Sequence, residues 1–407
     1  MSNIVELREV SELITKGTTP TTVGGSFTNA GINFVKSESI CDSKYLDSSV
    51  FMKIDEETDE KLKRSRLKER DLLVSIAGAY LGKLSIVRDV DLPANTNQAV
   101  GIVRINPEKA DVDYLYYYFS QPAINGYINK LSAQSSQPNL NLDLLGKLTF
   151  NCLEIEGQVK VATVLSAIDQ KIELNNRINA ELEAMAKTLY DYWFVQFDFP
   201  DDSPQGQGKP YKTSGGKMVY NPILKREIPE GWSDGIIADV IGKVPQATKV
   251  LAKDFQDNGK VPVIDQSQSY ICGFTDDETA TIKPESAHVI FGDHTRAVKL
   301  VNFDYARGAD GTQVLVAKSD KIPSYLLYQI VSDIDLSSYG YARHYKFLKE
   351  SKCVIPRAEV SQCYQNTVKH WHEKIRDNIF QNYELERLRD WLLPMLMNGQ
   401  VTVGEAS

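Results

Sequence analysis

Two long, heptad-spaced stretches in one chain limit its possible folds more than any other feature. From Ile155 to Phe194 no proline occurs, and Val161, Leu165, Ile168, Ile172, Asn175, Asn179, Leu182, Ala186, Leu189 and Trp193 fall alternately four and three apart. That spacing predicts a single helix with a coiled-coil seam. A second stretch carries Tyr364, Val368, Trp371, Ile375, Asn378, Asn382, Leu385, Arg389 and Leu392 at the same spacing. Lys171-Ile172 recurs as Lys374-Ile375, Asn175 as Asn378, Asn179 as Asn382, and Glu181-Leu182-Glu183 as Glu384-Leu385-Glu386. Agreement at that many points identifies an internal repeat. Paired amides inside an apolar seam lower stability but fix register and partner. Antiparallel pairing then predicts that Asn175 approaches Asn382 and that Asn179 approaches Asn378.

Each helix follows a globular stretch, so the expected order is a globular domain at 1–153, a long helix at 154–197, a linker at 198–231, a second globular domain at 232–358, a second helix at 359–398 and a tail at 399–407. The linker is expected because Pro, Gly and Ser accumulate there and periodicity vanishes. The globular stretches read as short strands between Gly, Asn and Pro turns, with a helix beginning near Asp113, the expected cap. They echo each other: Tyr325-Leu326-Leu327-Tyr328 resembles Tyr114-Leu115-Tyr116-Tyr117, and Gly311-Thr312-Gln313 resembles Thr96-Asn97-Gln98. The expected fold is therefore α+β, with two repeated globular domains separated by two long antiparallel helices in an intramolecular, pseudo-twofold coiled coil. Helices of about 35 to 40 residues are roughly 50 to 60 Å long, enough to hold two domains apart as a ruler.

The net charge of -8 argues against a nucleic-acid partner. Its distribution weakens that objection, because 154–202 holds ten acids against four bases and leaves the globular parts near neutrality. Five scattered cysteines (Cys41, Cys152, Cys272, Cys353, Cys363) lack metal-ligand spacing and suggest a reducing compartment. With no apolar run of membrane length and no signal-peptide core at MSNIVELREV, a cytoplasmic protein is expected. Phosphate-loop, dinucleotide, nucleophile-elbow and HExxH motifs are missing. Asn221-Pro222-Ile223-Leu224 lacks the second Pro and the aromatic of a base-flipping amino-methyltransferase. Asp276-Asp277-Glu278 reads as an acidic surface turn, and His370 and His372 lie two apart on a helix, pointing away from each other. No catalytic residue and no metal site are expected.

The order of domain, helix, linker, domain and helix, together with Phe197-Asp198-Phe199-Pro200, Gly208 to Lys212, Ser214 to Val219 and Leu224 to Trp232, resembles the specificity (S) subunit of type I restriction-modification enzymes. Gly273 to Asp277, Gly292 to Arg296 and Gly308 to Thr312 are similar to segments of that family's target-recognition domains. The resemblance covers essentially the whole chain. It implies a non-catalytic subunit in which each globular domain reads one half of a split duplex DNA site. Two modification subunits carrying S-adenosylmethionine would bind the helices, and restriction subunits using ATP and Mg²⁺ would join through the complex. No cofactor is expected in this chain. A coiled-coil scaffold that never touches DNA is the alternative.

Candidate DNA contacts follow from side-chain chemistry and loop placement. They are Lys63, Arg64, Arg66, Gln134, Ser136 and Gln137 in the first domain, and His294, Arg296, Arg343, His344 and Lys346 in the second.

Overall fold

The computed structural model describes residues 3–41, 43–132, 139–201, 206–244, 246–309, 311–340 and 343–404. The chain forms two compact units, Met1–Glu173 with Asn382–Ser407, and Leu174–Gln381. The long helices, Ile155–Tyr190 and Ala358–Met397, are therefore shared between units instead of forming a separate layer. Each globular part packs on a portion of both helices, which is why the units cut across the sequence domains.

In the first unit a strand at Asn3–Glu6 pairs antiparallel with Thr149–Cys152, the strand that leads into the first long helix. One four-stranded sheet runs Ser11–Lys16, Val100–Ile105, Leu72–Ser75, Leu84–Ile86. A second contains the parallel pair Ile32–Val35 and Ala94–Thr96. Continuous apolar runs such as Leu72–Ser75 are buried on both faces. The helix Val112–Ser120 packs its Tyr114, Leu115, Tyr117 and Phe119 into the core. Its cap is Asp111, whose carboxylate accepts from Tyr114 N at 2.9 Å. The expected Asp113 lies one residue inside and holds Lys44 at 2.7 Å instead.

The second unit repeats this plan. Ser233–Ile236 pairs antiparallel with Lys352–Ile355, which leads into the second long helix. Val261–Ile264 and Tyr305–Arg307 form the parallel pair. His288–Gly292 lies between Thr312–Leu315 and Val298–Val301, as Leu72–Ser75 lies between its own neighbours. The helix Ser324–Asp333 takes the place of Val112–Ser120.

The helix portions run antiparallel within each unit. In the first, Val161, Ala162 and Leu165 share a core with Leu393, Leu396 and Met397, and Arg389 Nη1 meets Asp169 Oδ1 at 3.0 Å. In the second, Tyr364 OH donates to Ala186 O at 3.1 Å and Asn378 Nδ2 to Asn179 Oδ1 at 2.8 Å. Asn175 Nδ2 donates to Gln381 Oε1 at 2.8 Å, the neighbour of the expected Asn382. Asn175 and Asn378 are fully buried. Leu165, Ile168, Val368, Ile375 and Asn382 are also buried, while Ile172, Asn179, Leu182, Leu189, Trp371, Leu385 and Leu392 are half-buried.

Residues 198–231 depart from the linker expectation. Two hairpins form there, Pro200–Asp201 with Lys209–Pro210, and Met218–Asn221 with Arg226–Pro229. Phe199 stacks between Tyr211 at 4.7 Å and Trp232 at 5.0 Å, and Phe197 meets Trp232 edge-on at 5.6 Å. Asp198 accepts from Thr213 N at 2.7 Å, and the Arg226 guanidinium lies 4.5 Å from the Phe197 ring. Burying Phe197, Phe199, Tyr211 and Trp232 supplies the apolar area that holds this Gly- and Pro-rich segment together.

Candidate nucleic-acid interface

Three loops converge in each unit through matching backbone hydrogen bonds. In the first unit Ile76 N donates to Ala99 O at 2.8 Å, and Leu140 N donates to Ile76 O at 2.9 Å. This ties the turn after Leu72–Ser75 to the loop before Val100–Ile105 and to the chain preceding the short helix Leu142–Gly146. In the second unit Asp293 N donates to Gly311 O at 2.7 Å, and His344 N donates to Asp293 O at 3.0 Å. The turn after His288–Gly292, the loop before Thr312–Leu315 and the chain preceding His344–Glu350 are tied in the same way. Ile76 and Asp293 are thus equivalent hubs.

The hubs differ in chemistry. Asp293 is buried; its carboxylate accepts Tyr345 N at 2.8 Å, and its carbonyl oxygen also lies 3.0 Å from His344 Nδ1. Gln266 Oε1 accepts His294 N at 3.2 Å and braces the turn. Gly311 has φ +73°, a left-handed backbone conformation that favours glycine at this turn. Around Ile76 the corresponding turn holds Ala77, Gly78, Ala79 and Tyr80, and Ala77 bridges Asn139.

Several expected contact residues gather at these hubs. His294, Arg296 and Arg343 are exposed around Asp293, and Lys346 is exposed on the following helix. His344 is not a surface residue: at 3% exposure it is a buried post against Asp293, because the apolar side of its short helix faces the core. Lys63 and Arg64 are exposed on the turn Lys63–Ser65, and Lys63 lies 3.7 Å from Glu60. Arg66 is held by Asp59 at 2.7 Å and Glu60 at 2.5 Å, which leaves its guanidinium committed within the unit. Gln134, Ser136 and Gln137 lie outside the described residues. Sequence reasoning missed Asp293, Gln266 and Tyr80. Matching the two turns through the internal repeat was the available signal. Among the described residues no group of His, Cys, Asp and Glu could hold a metal ion. No described helix is long and apolar enough to cross a membrane.

Residues 2–184 match the family described as type I restriction modification DNA specificity domain. The MjaIX type I restriction enzyme specificity subunit of Methanocaldococcus jannaschii is 24% identical over 427 aligned residues, covering 99% of this chain and 94% of that one. Residues 2–184 therefore carry that family's domain, and nearly the whole chain aligns with a type I specificity subunit at 24% identity. An Escherichia coli relative, the EcoBI specificity subunit, is 32% identical over 114 residues, which is 28% of this chain and 23% of that one. The crystal structure of a type I S subunit from M. genitalium matches 100% of this chain and 97% of its own with TM-score 0.61 at 13% identity, a likeness of fold. The matched domain is described as one of DNA specificity, and both relatives are named specificity subunits. The two hubs are where the fold repeats a loop cluster.

Proposed function

We propose that this chain is a specificity subunit that binds a bipartite duplex sequence, one half-site at each three-loop hub, with the helix pair setting the spacer. The reading is carried by one observation: the same three loops meet through the same pair of hydrogen bonds in both units, while the side chains around them differ. A repeated frame with divergent loops is what recognition of two different half-sites requires. Lys63 and Arg64 fit phosphate contacts in the first unit. Tyr80, with Gln134, Ser136 and Gln137, would supply its base contacts. In the second unit His294, Arg296, Arg343 and Lys346 take these roles.

The chain itself does no chemistry in this proposal. Two modification subunits bring S-adenosylmethionine to the helices, and restriction subunits bring ATP- and Mg²⁺-dependent activity through the complex. Filter binding of the full chain to random duplex across a salt series tests the DNA reading. Binding at low salt that falls steeply with added salt supports it, with log Kd changing by about 0.9 per phosphate contact on a log-salt scale. No binding at any salt, with retained capture of a modification subunit, would make the chain a scaffold.

A further inference from the structure

The two hubs present different side chains to a groove, and that difference carries base information. We infer that Arg296 and Arg343 read guanine in the major groove of the half-site bound by the second unit, so the two half-sites are read with unlike chemistry. This rests on the hub of each unit being its DNA-reading face. Four features of the second hub support it.

Arg296 sits at φ +62°, a left-handed backbone conformation that glycine adopts freely and most L-residues resist. Its N–H donates to Gly292 O at 2.9 Å, which closes the turn, so the backbone needs only that conformation and no particular side chain. An exposed Arg stands where Gly would be less strained, which points to use of its side chain. Arg343 projects immediately before the buried His344, whose N–H and Nδ1 both reach the Asp293 carbonyl oxygen. The Asp293 carboxylate holds Tyr345 N as well, so the loop that carries Arg343 is anchored to a buried residue three positions before Arg296. Neither makes an ion pair within 4.0 Å among the described residues, whereas Arg66 is spent on two carboxylates. Asp335, whose carboxyl is held below its ordinary range first by Ser337 N–H, feels Arg296 only as a lesser influence.

A guanidinium presents two parallel N–H donors that match O6 and N7 of guanine, the commonest specific contact in the major groove. Arginines directed at phosphate would also bind DNA, but would be indifferent to sequence. At the first hub the equivalent turn offers Ala77, Gly78, Ala79 and Tyr80, and no guanidinium. A guanine-reading arginine pair is therefore a property of the second unit.

The test uses the full chain with its modification subunit in cells and maps methylated sites across the genome for the wild type, Arg296→Gln, Arg343→Gln and the double variant. The inference expects guanine in one half of the split motif. Each single variant should relax a guanine position by roughly 5- to 150-fold in discrimination, with the other half unchanged. An unchanged motif methylated less completely at every site would assign both arginines to phosphate and overturn the inference while leaving the bipartite reading intact. Absence of any split motif that depends on this gene would overturn both. Recombinant wild-type and variant chains with matching circular dichroism melts exclude loss of fold as the cause.

Discussion

The two units share a frame and differ in what they bury. The first buries or half-buries ion pairs: Lys44 with Asp113 at 2.7 Å, Arg104 bidentate on Asp71 at 2.8 and 2.7 Å, and the half-buried Asp169 with Arg389 at 3.0 Å, where Tyr117 OH also meets Asp169 at 2.5 Å. The second contains all five histidines of the chain and buries three, His288, His344 and His372. His288 Nδ1 lies 3.0 Å from Tyr305 OH, and His372 stacks on Tyr325 at 5.0 Å. Burial pushes both His288 and His372 down to about 4. One architecture therefore tolerates two kinds of buried polarity, and pH separates them.

Acidification should break the likeness most strongly. A histidine with a depressed folded-state pKa contributes stability that is complete above its unfolded value near 6.5 and is lost as pH falls towards 4. Each ring is worth on the order of 3 kcal/mol across that window. In the first unit, burial raises Asp113, but Lys44 and then Arg70 bring it to a net position below the ordinary carboxylate range. Its contribution is present above pH about 4 and is lost only below it. Hydrogen exchange read by mass spectrometry should show the second unit opening between pH 6 and 4 while the first stays protected.

The aromatic clasp at 198–231 has no counterpart among the described residues of the first unit. Trp232→Ala should cost about 4 kcal/mol by leaving a cavity between Phe197 and Phe199. Calorimetry should show the transition of the second unit moving down and that of the first unmoved.

Smaller effects sharpen the comparison at the seam. Asn378→Leu should cost about 1 to 3 kcal/mol, because it strips Asn179 of its 2.8 Å donor in a buried site. Asn179→Leu combined with Asn378→Leu should be close to neutral in denaturant unfolding, since both polar groups leave together. At the second hub Arg296→Gly should raise stability by about 1 kcal/mol through relief of the left-handed strain, measured as a shifted urea midpoint with unchanged slope.

What was legible in the sequence was what repeats locally. The 4-3 spacing announces the helices, and the doubled Asn announces their pairing, because helix periodicity is imposed residue by residue. The Asn179–Asn378 meeting follows from that spacing alone. The clasp was opaque because Phe197, Phe199, Tyr211 and Trp232 follow no period and find one another only in three dimensions. His344 misled for a related reason. Beside Arg343 it reads as part of a basic surface, yet its partner Asp293 is 51 residues away in sequence. Laying Asn139–Lys147 against Arg343–Ser351 would have set His344 opposite Leu140, which is fully buried. The identity of a contact residue is least legible of all, since loops that specify different sequences share a frame and not a wording.

Mapping DNA methylation in the host with and without this gene tests the central claim most directly. The account predicts one split motif, two specified halves around an unspecified spacer, that is modified only when the gene is present. A contiguous motif, or a methylation pattern indifferent to the gene, would contradict it.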